Sequence, residues 1–531
     1  MVKWIFVAGG VLSGLGKGVL SSSIAKLLES RGYKVVPIKC DGYLNVDPGT
    51  MNPNEHGEVY VLKDGGEVDM DFAHYENFLE VNGNFDWNLT SGKVFKEIIE
   101  REREGEFLGN TVQFVPHVTD NIIQRFKDIA EGEDADVSVV EIGGTVGDME
   151  NMHFLEAVRQ MRQDKGVDSV LVHLTLVPYL ETTGEQKTKP TQHAVKKLEE
   201  TGLEPDMIVG RSEEELRDQT KDKIAMYTPV DREAVISDPN IDDLYKLPLQ
   251  LEEEKVDEII LDRLGLPKNE KDMGRWRQLV ENRENPEKEV EIALAGKYTE
   301  MEDTYFSIEQ ALYHAGAQFK AEVDIDIVNT EELGSFEDCR EEFKDYDGVV
   351  VPGGFGARGT EGMIKTAEYC RKKGKPYLGI CFGMQMMLVE YARNACGLEE
   401  AHSTEIDENT PHPVIDILPE QEGVEKKGGT MRLGRYVADL KDDTQVKELY
   451  GKDKAKERHR HRYEVNPDYH EDIRENGMTI AGTSENGRLV EYLELEDHSF
   501  FIGTQAHPEF TSRFEEPNPL YHGFMGASIG D

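Results

Sequence analysis

Short apolar runs alternate with amphipathic segments over most of this chain. The first five runs are WIFVAGG, KVVPIK, VSVVEIGG, SVLVHLTLV and MIVG. Between them lie segments such as MHFLEAVRQMRQ, which carries apolar residues at i, i+3 and i+4, the spacing that covers one face of a helix. Strands and helices that alternate in this way are typical of βα units on a parallel sheet. The pattern therefore predicts an α/β fold.

The alternation divides the chain into two domains. It holds to about residue 265, and the sequence is then charged and interrupted by prolines to about residue 289. A second α/β series begins at VEIALAGKY and continues through DGVVVPGG, PYLGIC and SFFIGTQAHPE. A chain of 531 residues is also too long for one ordinary core. We predict domains over 1–265 and 290–531, joined by a linker over 266–289 that includes one short helix.

The charge balance is strongly acidic. The chain has 60 Lys and Arg residues against 105 Asp and Glu residues, a formal net charge of −45 at pH 7. Nucleic acids bind basic surfaces, so this balance argues against a nucleic-acid partner. Molar salt would screen the self-repulsion, since the Debye length there is about 3 Å. A halophilic source with a salt-rich cytoplasm and an ordinary acidic protein are both open interpretations.

The sequence shows no membrane or disulfide signature. It has no run of about 18 apolar residues, the length that a membrane span needs. The apolar start leads into glycines rather than a small-residue cleavage site, so we interpret it as a core strand and expect a cytoplasmic protein. Five cysteines without C-x-x-C spacing argue against a disulfide framework and a zinc site.

A glycine-rich loop follows the first strand. In GGVLSGLGKGVLSSSIAKLLESRG the loop precedes a helix, whose N-terminal N–H groups and dipole suit a triphosphate. Lys17 would reach the β- and γ-phosphates. The usual spelling G-x-x-x-x-G-K-[ST] is not met, because Val11 replaces the first glycine and Gly18 replaces the hydroxyl residue that holds Mg²⁺. A glycine-rich connection with a chance lysine is the alternative.

If Gly18 cannot hold the metal, carboxylates elsewhere must do so. Asp71 in EVDMDFAHYE and Glu141 in VVEIGGTVGD are the candidates, and Glu141 ends an apolar strand, where ligands of open α/β sheets gather. For either acid considered alone, a solvated position in a loop is the commoner explanation. The stretch KTKPTQHAV, over 187–195, is locally positive in an acidic chain, which indicates a second site for an anionic ligand. The alternative is a helix start that carries charged surface residues.

The stretch LGICFGMQMM contains Cys381 between two glycines. Gly379 and Gly383 lie two positions to either side, giving G-x-C-x-G, the thiol counterpart of the serine elbow. Such glycines allow a tight strand–turn–helix corner, and the helix N-terminus favours a thiolate. The alternative is a structural cysteine that acts as a small hydrophobe.

A candidate partner for this cysteine lies in FFIGTQAHPEFTS. His507 follows an apolar run and Glu509 comes two residues later, so on an extended segment both side chains point the same way. Glu509 would then orient the imidazole in a Cys–His–Glu triad. The glycines of GVVVPGGFGARG are candidates for an oxyanion hole.

With these motifs the chain resembles the CTP synthase family over essentially its whole length. Two departures from the family pattern are mild, since Gly42 stands where proline is common and Phe382 where leucine is frequent, and neither position carries a catalytic group. The strings that carry the resemblance are IFVAGGVLSGLGKGVLSSSIA, DGYLNVDPGTMNPNEHGEVYV, VEIGGTVGDME, KTKPTQHAV, VPGGFGARGTEGM, YLGICFGMQ, GGTMRLG, RHRHRYEVN and QAHPEFTSR.

The resemblance implies an ATP-dependent ligase that makes CTP from UTP and glutamine through a 4-phosphorylated UTP. It implies a P-loop-type parallel-sheet synthetase domain followed by a class I glutamine amidotransferase α/β domain. In the second domain Cys381 would attack the glutamine amide with His507 and Glu509 assisting, and the ammonia would travel inside the protein. The implied glutamine-binding residues are Gly354, Phe382, Gly383, Met384, Gln385, Glu405 and Arg462.

The resemblance also implies the nucleotide sites of the first domain. MgATP would bind the phosphate loop with Asp71 and Glu141 as metal ligands, and Lys17 and Lys39 would stabilise the phosphoryl group in transfer. The implied ATP-binding residues are Gly14, Leu15, Gly16, Lys17, Gly18, Val19, Lys39 and Asp71. The implied UTP- and CTP-binding residues are Ser13, Asp148, Met149, Glu150, Lys187, Thr188, Lys189, Pro190, Thr191, Gln192 and Lys223.

Family membership would further imply a homotetramer that GTP activates allosterically and CTP inhibits. One rival is another fused phosphate-loop amidotransferase, such as a cobyrinic-acid or biotin-pathway relative, which would lack KTKPTQ and RHRHRYEVN. The other rival is a filament-forming or regulatory protein with a relic glutaminase, which would have lost Cys381, His507 or Glu509. Both strings and all three residues are present.

Overall fold

The computed structural model describes residues 1–50, 57–297, 302–417 and 431–530. The strings DGYLNVDPGTMNPNEHGEVYV and GGTMRLG lie partly outside these ranges. The chain forms two compact units, one of Met1–Pro48 with His74–Arg277 and the other of Gly49–Ala73 with Gln278–Asp531. The second unit thus includes a segment that the sequence pattern grouped with 1–265. The domain bounds drawn from the sequence stay a prediction.

Within the described residues, a sheet of seven parallel strands forms the centre of the first unit. Numbered along the chain, they are β1 (Lys3–Gly9), β2 (Val35–Asp41), β3 (Asn88–Thr90), β4 (Val137–Ile142), β5 (Ser169–Leu176), β6 (Met207–Ser212) and β7 (Val235–Pro239). Their order across the sheet is β7–β6–β5–β1–β4–β2–β3. Every residue of β2 is buried, as in parallel strands that helices cover on both faces. The carboxyl ends of β1, β4 and β2 therefore lie side by side.

The helices of the first unit follow its strands. Thr90 caps one of them at its N-terminus, where its side chain accepts a hydrogen bond from the Lys93 N–H. A short hairpin also pairs Tyr179–Leu180 with Glu185–Gln186. The helices span Lys17–Glu29, Ala73–Phe78, Ser91–Arg103, Thr119–Gly132, Met152–Gln163, Lys189–Glu200, Asp218–Tyr227, Leu247–Glu253, Val256–Leu264 and Gly274–Glu284. The second of these begins just before the unit's bounds, and the last ends beyond them.

The second unit has a mixed sheet, nine-stranded in its described part. The strands are β8 (Lys288–Gly296), β9 (Ala321–Asn329), β10 (Gly348–Val351), β11 (Tyr377–Ile380), β12 (Arg432–Leu440), β13 (Lys454–His461), β14 (Thr479–Ser484), β15 (Val490–Glu494) and β16 (Phe501–Thr504). They lie in the order β9–β8–β10–β11–β16–β15–β14–β12–β13. The first five in this order are parallel and the rest antiparallel. Apolar cores cover both faces of the sheet.

Two smaller strand groups accompany this sheet. The hairpin Val59–Val61 with Glu67–Asp69 packs within the second unit, where the Tyr60 hydroxyl donates to the Phe510 carbonyl at 3.1 Å. The other group joins His402–Ser403, Pro413–Ile417 and Tyr463–Val465. The helices span Phe306–Phe319, Phe336–Phe343, Thr360–Lys373, Phe382–Asn394, Gln445–Tyr450, His470–Glu475 and Pro519–Ile529. Across the described ranges, every helix is too short or too polar to cross a membrane.

Trp276 anchors the end of the first unit, although it lies in the segment that the charge pattern suggested as a linker. Its ring is fully buried and lies 5.2 Å from the Phe78 ring and 5.8 Å from the Tyr245 ring. Its indole N–H donates to the Tyr245 carbonyl at 2.8 Å. These contacts hold the start of helix Gly274–Glu284, which belongs to the first unit, in the core of that unit.

We expect Trp276→Ala to lower the free energy of unfolding of the first unit by about 3–5 kcal/mol, because it empties this aromatic cluster. Urea unfolding followed by circular dichroism measures the change. Gln278→Ala, at an exposed position of the same helix, is the control and should change stability by less than about 0.5 kcal/mol. Equal stability of the two variants would contradict the structural role of Trp276.

Candidate active site

Cys381 lies at a tight corner between β11 and helix Phe382–Asn394. Its backbone has φ 51° and ψ −102°, a conformation that costs a non-glycine residue free energy. A Cβ on Gly383 would lie 2.0 Å from the Val351 carbonyl oxygen, and one on Gly379 would lie 3.0 Å from the Gly383 carbonyl group. Both positions therefore require glycine, which confirms the elbow predicted from G-x-C-x-G.

The structure brings His507 and Glu509 to this corner. His507 Nδ1 lies 2.7 Å from Glu509 Oε1, and both side chains are largely buried. A Cβ on Gly353 would lie 2.8 Å from His507 Cε1 and 3.7 Å from Cys381 Cβ, so the imidazole and the thiol share one wall of the site. The expectation of an extended segment is wrong, because Pro508–Thr511 forms a 3-10 turn. The turn carries Glu509 back to the imidazole.

Electrostatics favour a thiolate at Cys381. Burial alone would raise the pKa of the thiol, but the nearby positive charges of His507 and His461 lower the pKa to about 6. Burial opposes protonation of His507, yet the charges of Glu509 and Cys381 raise its pKa to about 10. The amide N–H of Gln505 also donates to the sulfur at 3.6 Å. At neutral pH the pair is a thiolate beside an imidazolium.

A cavity of about 130 Å³ opens at the sulfur. Gly353 and Gly354 line it together with Cys381 and His507, and Glu58 of the segment 57–73 lines it too. The Ser307 N–H donates to the Glu58 carboxyl at 2.9 Å. Burial raises the pKa of Glu58 to about 8, so this carboxyl is neutral at pH 7 and does not repel the thiolate.

The structure separates the predicted glutamine contacts into two groups. Gly354 lines the cavity. Glu405 accepts a hydrogen bond from the Gly356 N–H at 2.8 Å. Burial raises the pKa of Glu405, and the nearby positive charge of Arg462 offsets part of that rise. Phe382 and Gly383 begin the helix after the nucleophile. The side chains of the other two residues serve the interior: Met384 packs on Gly503, and Gln385 donates to the Tyr463 carbonyl at 2.9 Å.

The glycine-rich loop of the first unit, which the sequence predicts to bind phosphate, connects β1 to helix Lys17–Glu29. Gly14 and Gly16 have φ of 74° and 93°, and Val11 also has a positive φ of 80°. The loop thus takes left-handed turns that glycine accommodates without strain. Lys17 is the first residue of the helix, and its ammonium donates to the Gly144 carbonyl at 2.9 Å. The lysine is therefore held beside the carboxyl end of β4.

Two further predicted residues lie at this edge of the sheet. Lys39 of β2 and Glu141 of β4 are buried and are partners in the strand register. Glu141 accepts a hydrogen bond from the Tyr75 hydroxyl at 2.5 Å. Asp71 belongs to the second unit, in the turn Met70–Phe72. The pairing of Asp71 with Glu141 stays a prediction.

The residues predicted to bind UTP or CTP differ in exposure. Ser13, Met149, Lys189 and Lys223 are exposed, whereas Thr188, Thr191 and Gln192 are buried. Thr191 donates to the Leu176 carbonyl at 3.1 Å and Gln192 donates to Thr188 at 3.0 Å. The buried members hold the start of helix Lys189–Glu200 in place. Among the other predicted residues, Asp148 accepts a hydrogen bond from the Thr145 N–H, and Glu150 packs on Gly42. Lys187 forms an ion pair with Glu185, and Pro190 lies in the first turn of helix Lys189–Glu200.

Comparisons with known proteins agree with this architecture. Residues 3–266 match the family described as CTP synthase N-terminus, and residues 300–527 match glutamine amidotransferase class-I. The chain is 51% identical over 529 residues to the CTP synthase of Archaeoglobus fulgidus, which covers 99% of this chain and 98% of that protein. This chain belongs to the CTP synthase family.

Other relatives are similarly distant. The CTP synthase of Haloarcula hispanica is 50% identical over 100% of this chain and 95% of its own length. The Trypanosoma brucei CTPS glutaminase domain with bound acivicin is a solved structure with 35% identity and a TM-score of 0.43, and the match covers 46% of this chain and 94% of that one. The two family matches and the full-length relatives, not this structure, show that the chain is a glutamine-hydrolysing ligase with a parallel-sheet synthetase domain and a class I amidotransferase domain.

Sequence reasoning missed several residues around the sulfur. It assigned no role to Gln505 or Glu58, and it quoted RHRHRYEVN without singling out His461. Gln505 lies two residues before His507, so its proximity to the triad was a usable signal. Glu58 is more than 300 residues from Cys381 along the chain, and only the packing of the hairpin could reveal it.

We expect alkylation of Cys381 by iodoacetamide to follow thiolate formation, with a rate that rises through a midpoint near pH 6 and then stays level to alkaline pH. Below the midpoint the protonated thiol reacts slowly. Mass spectrometry of the labelled peptides measures the rate at each pH. Half-buried Cys396, whose pKa burial raises, is an internal control that should react only at higher pH. A shared profile for both cysteines would contradict the assignment.

Proposed function

We propose that this chain aminates UTP to CTP, with ammonia that its second unit releases from glutamine and with ATP consumed in its first unit. The observation that carries the proposal is the Cys381 thiol at a strained elbow, beside an imidazole that a carboxylate holds at 2.7 Å. A thiol in this setting is a nucleophile for acyl transfer. Family membership identifies the acyl donor as glutamine.

In the second unit the Cys381 thiolate attacks the amide carbon of glutamine. The oxygen of the tetrahedral intermediate becomes negative, and N–H groups of Gly354 and of the turn after Cys381 stabilise it. The C–N bond then breaks and ammonia leaves with the proton of the His507 imidazolium. Neutral His507 next takes a proton from water, and the hydroxide hydrolyses the thioester to glutamate. Glu405 and Arg462 hold the amino and carboxylate ends of glutamine.

In the first unit ATP binds along the phosphate loop. Oxygen O4 of UTP attacks the γ-phosphorus, ADP leaves, and a 4-phosphorylated UTP forms. Ammonia then attacks C4, and inorganic phosphate leaves as the C–O bond breaks. Lys17 and Lys39 stabilise the charge on the phosphoryl group in transfer. Lys17 is suited to this role because it begins the helix that follows the loop, and its ammonium donates to the Gly144 carbonyl at 2.9 Å, beside the carboxyl end of β4.

A magnesium ion fits the donors at the carboxyl edge of the sheet. Glu141 supplies a buried carboxylate, a hard oxygen ligand of the kind that Mg²⁺ prefers. In the described parts of the chain no three His, Cys, Asp or Glu side chains form a metal cage by themselves, and Mg²⁺ commonly binds through one or two carboxylates and substrate phosphates. When bound, the ion neutralises phosphate charge. Asp71 is the second ligand that we propose.

The remaining proposals rest on family membership. Lys187 and Lys223 both lower the pKa of the Glu185 carboxyl, so two positive charges lie near that group on an otherwise acidic protein. Two such charges would suit the negative charge of a pyrimidine triphosphate. CTP would bind there as a feedback inhibitor, GTP would activate glutamine hydrolysis, and the chain would form a homotetramer. A cytoplasmic location and a salt-rich source stay predictions.

We expect Cys381→Ala to make CTP from ammonium but not from glutamine, because the substitution removes the nucleophile and leaves the synthetase intact. The assay measures CTP formation from UTP and MgATP with each nitrogen donor. Cys370→Ala, which changes a buried cysteine of helix Thr360–Lys373 outside the cavity, should keep both activities. If Cys381→Ala lost CTP formation from both glutamine and ammonium while Cys370→Ala kept both, the proposed assignment of the two reactions to separate units would be wrong.

We expect the reciprocal result from Lys17→Met. Synthesis of CTP should fall by about 10²–10³-fold with either nitrogen donor, because charge on the transferred phosphoryl group loses its partner. Release of glutamate from glutamine should continue, and the same samples report it. Lys34→Met is the control, since Lys34 is exposed and precedes β2 at the opposite end from the loop. Full synthesis by Lys17→Met would exclude this lysine from phosphoryl transfer.

A further inference from the structure

A second imidazole lies next to the thiol of Cys381. His461 is the last residue of β13 and is 2% exposed. The preceding carbonyl, of Arg460, lies 4.0 Å from Cys381 Sγ, so the end of this strand passes directly beside the sulfur. The proposed mechanism uses only His507 and assigns no role to His461.

The two histidines are held in the same way. His507 pairs through Nδ1 with Glu509, and His461 pairs through Nε2 with Glu464 Oε1, both at 2.7 Å. In the described part of the chain, the other ring nitrogen of each is buried and makes no hydrogen bond of regular geometry. Cys381 thus lies near two imidazoles, each oriented by a carboxylate.

A buried network supports the second pair. Arg432 donates to Glu464 at 3.1 Å and to Glu491 at 2.5 Å, and all three side chains are almost fully buried. His459 lies on the same strand with its ring 5.2 Å from the His461 ring. Burial and the positive charges of Arg432 and His461 hold the pKa of His459 well below its usual range, so it is neutral.

His461 differs from this neighbour in charge. Burial opposes its protonation, but the Glu464 carboxylate and the Cys381 sulfur raise its pKa to about 9. It is therefore a cation at neutral pH. Among the described residues, the groups around the sulfur include His461, His507, the Gln505 amide and Arg460, which lines the same cavity and pairs with Glu67. Glu509 acts on His507, and the Glu58 carboxyl on the cavity wall is neutral.

A second cation solves a problem of the Cys–His pair. A thiolate beside a single imidazolium can take back its proton, which yields an unreactive thiol and a neutral imidazole. The His507 proton must instead go to the departing nitrogen. We propose that His461, oriented by Glu464, is a positioning residue that holds Cys381 as a thiolate, so that His507 keeps its proton for ammonia. This inference rests on the proposed role of Cys381 as nucleophile.

The test compares the alkylation profile of Cys381 in the full-length protein and in His461→Gln. Because the substitution removes the positive charge of His461, the midpoint of the Cys381 alkylation profile should rise by about 1–3 pH units. The kcat of glutamine hydrolysis at pH 7 should fall about tenfold for each pH unit by which the midpoint exceeds 7, and it should recover at higher pH. The KM for glutamine should stay within about twofold. A side chain that only fills space would not produce a loss that alkali restores.

Two further variants make the result decisive. Glu464→Gln should shift the midpoint in the same direction, and it decides the test if circular dichroism shows that His461→Gln is unfolded. His459→Gln is the matched control, because it changes a buried neutral histidine of the same strand, and its midpoint should stay that of the original protein. An unchanged midpoint in folded His461→Gln or folded Glu464→Gln would overturn the inference.

Failure of this inference is distinguishable from failure of the proposed function. If Cys381→Ala still hydrolyses glutamine, the proposed nucleophile is wrong and the inference falls with it. If Cys381→Ala is inactive and the midpoint does not move in the His461 and Glu464 variants, only the role of His461 is wrong.

Discussion

A charged sulfur that is buried away from water needs positive charge and hydrogen-bond donors around it, and the second unit is organised by that requirement. The elbow puts Cys381 at the start of a helix, where backbone N–H groups favour a negative charge. His507 and the Gln505 amide approach the sulfur from the segment that follows β16. Without these groups burial would keep the thiol protonated, as it does for the other buried cysteines.

The net charge of −45 does not set the charge of this site. Surface carboxylates act through water and salt, which screen them beyond about 8–10 Å. The pairs around the sulfur lie at 2.7 Å in a buried region, where Coulomb interactions are much stronger. The Glu58 carboxyl, which also lines the cavity, is neutral because burial raises its pKa. Local geometry therefore allows anionic chemistry on a strongly acidic protein.

Sequence reasoning succeeded where the chemistry depends on neighbours along the chain. The glycines two residues from Cys381 act through contacts that any strand–turn–helix corner makes, so their spacing was sufficient evidence. His507 and Glu509 are also neighbours, although a turn joins them, not an extended segment as expected. Family likeness grouped Met384, whose side chain packs on Gly503, with Gly354, which lines the cavity, and the role of Met384 in glutamine binding stays a prediction.

The amino-acid sequence by itself determined the α/β class, the elbow, the glycine-rich loop before the first helix and the family, because each depends on short-range patterns of apolar, glycine and charged residues. Tertiary structure alone decided which distant groups meet at the sulfur. The hairpin that carries Glu58 joins the second unit, and the end of β13 brings His461 to Cys381. Such contacts depend on how strands pack and in what register, which no local spacing encodes, and the pKa of a buried group follows from those contacts.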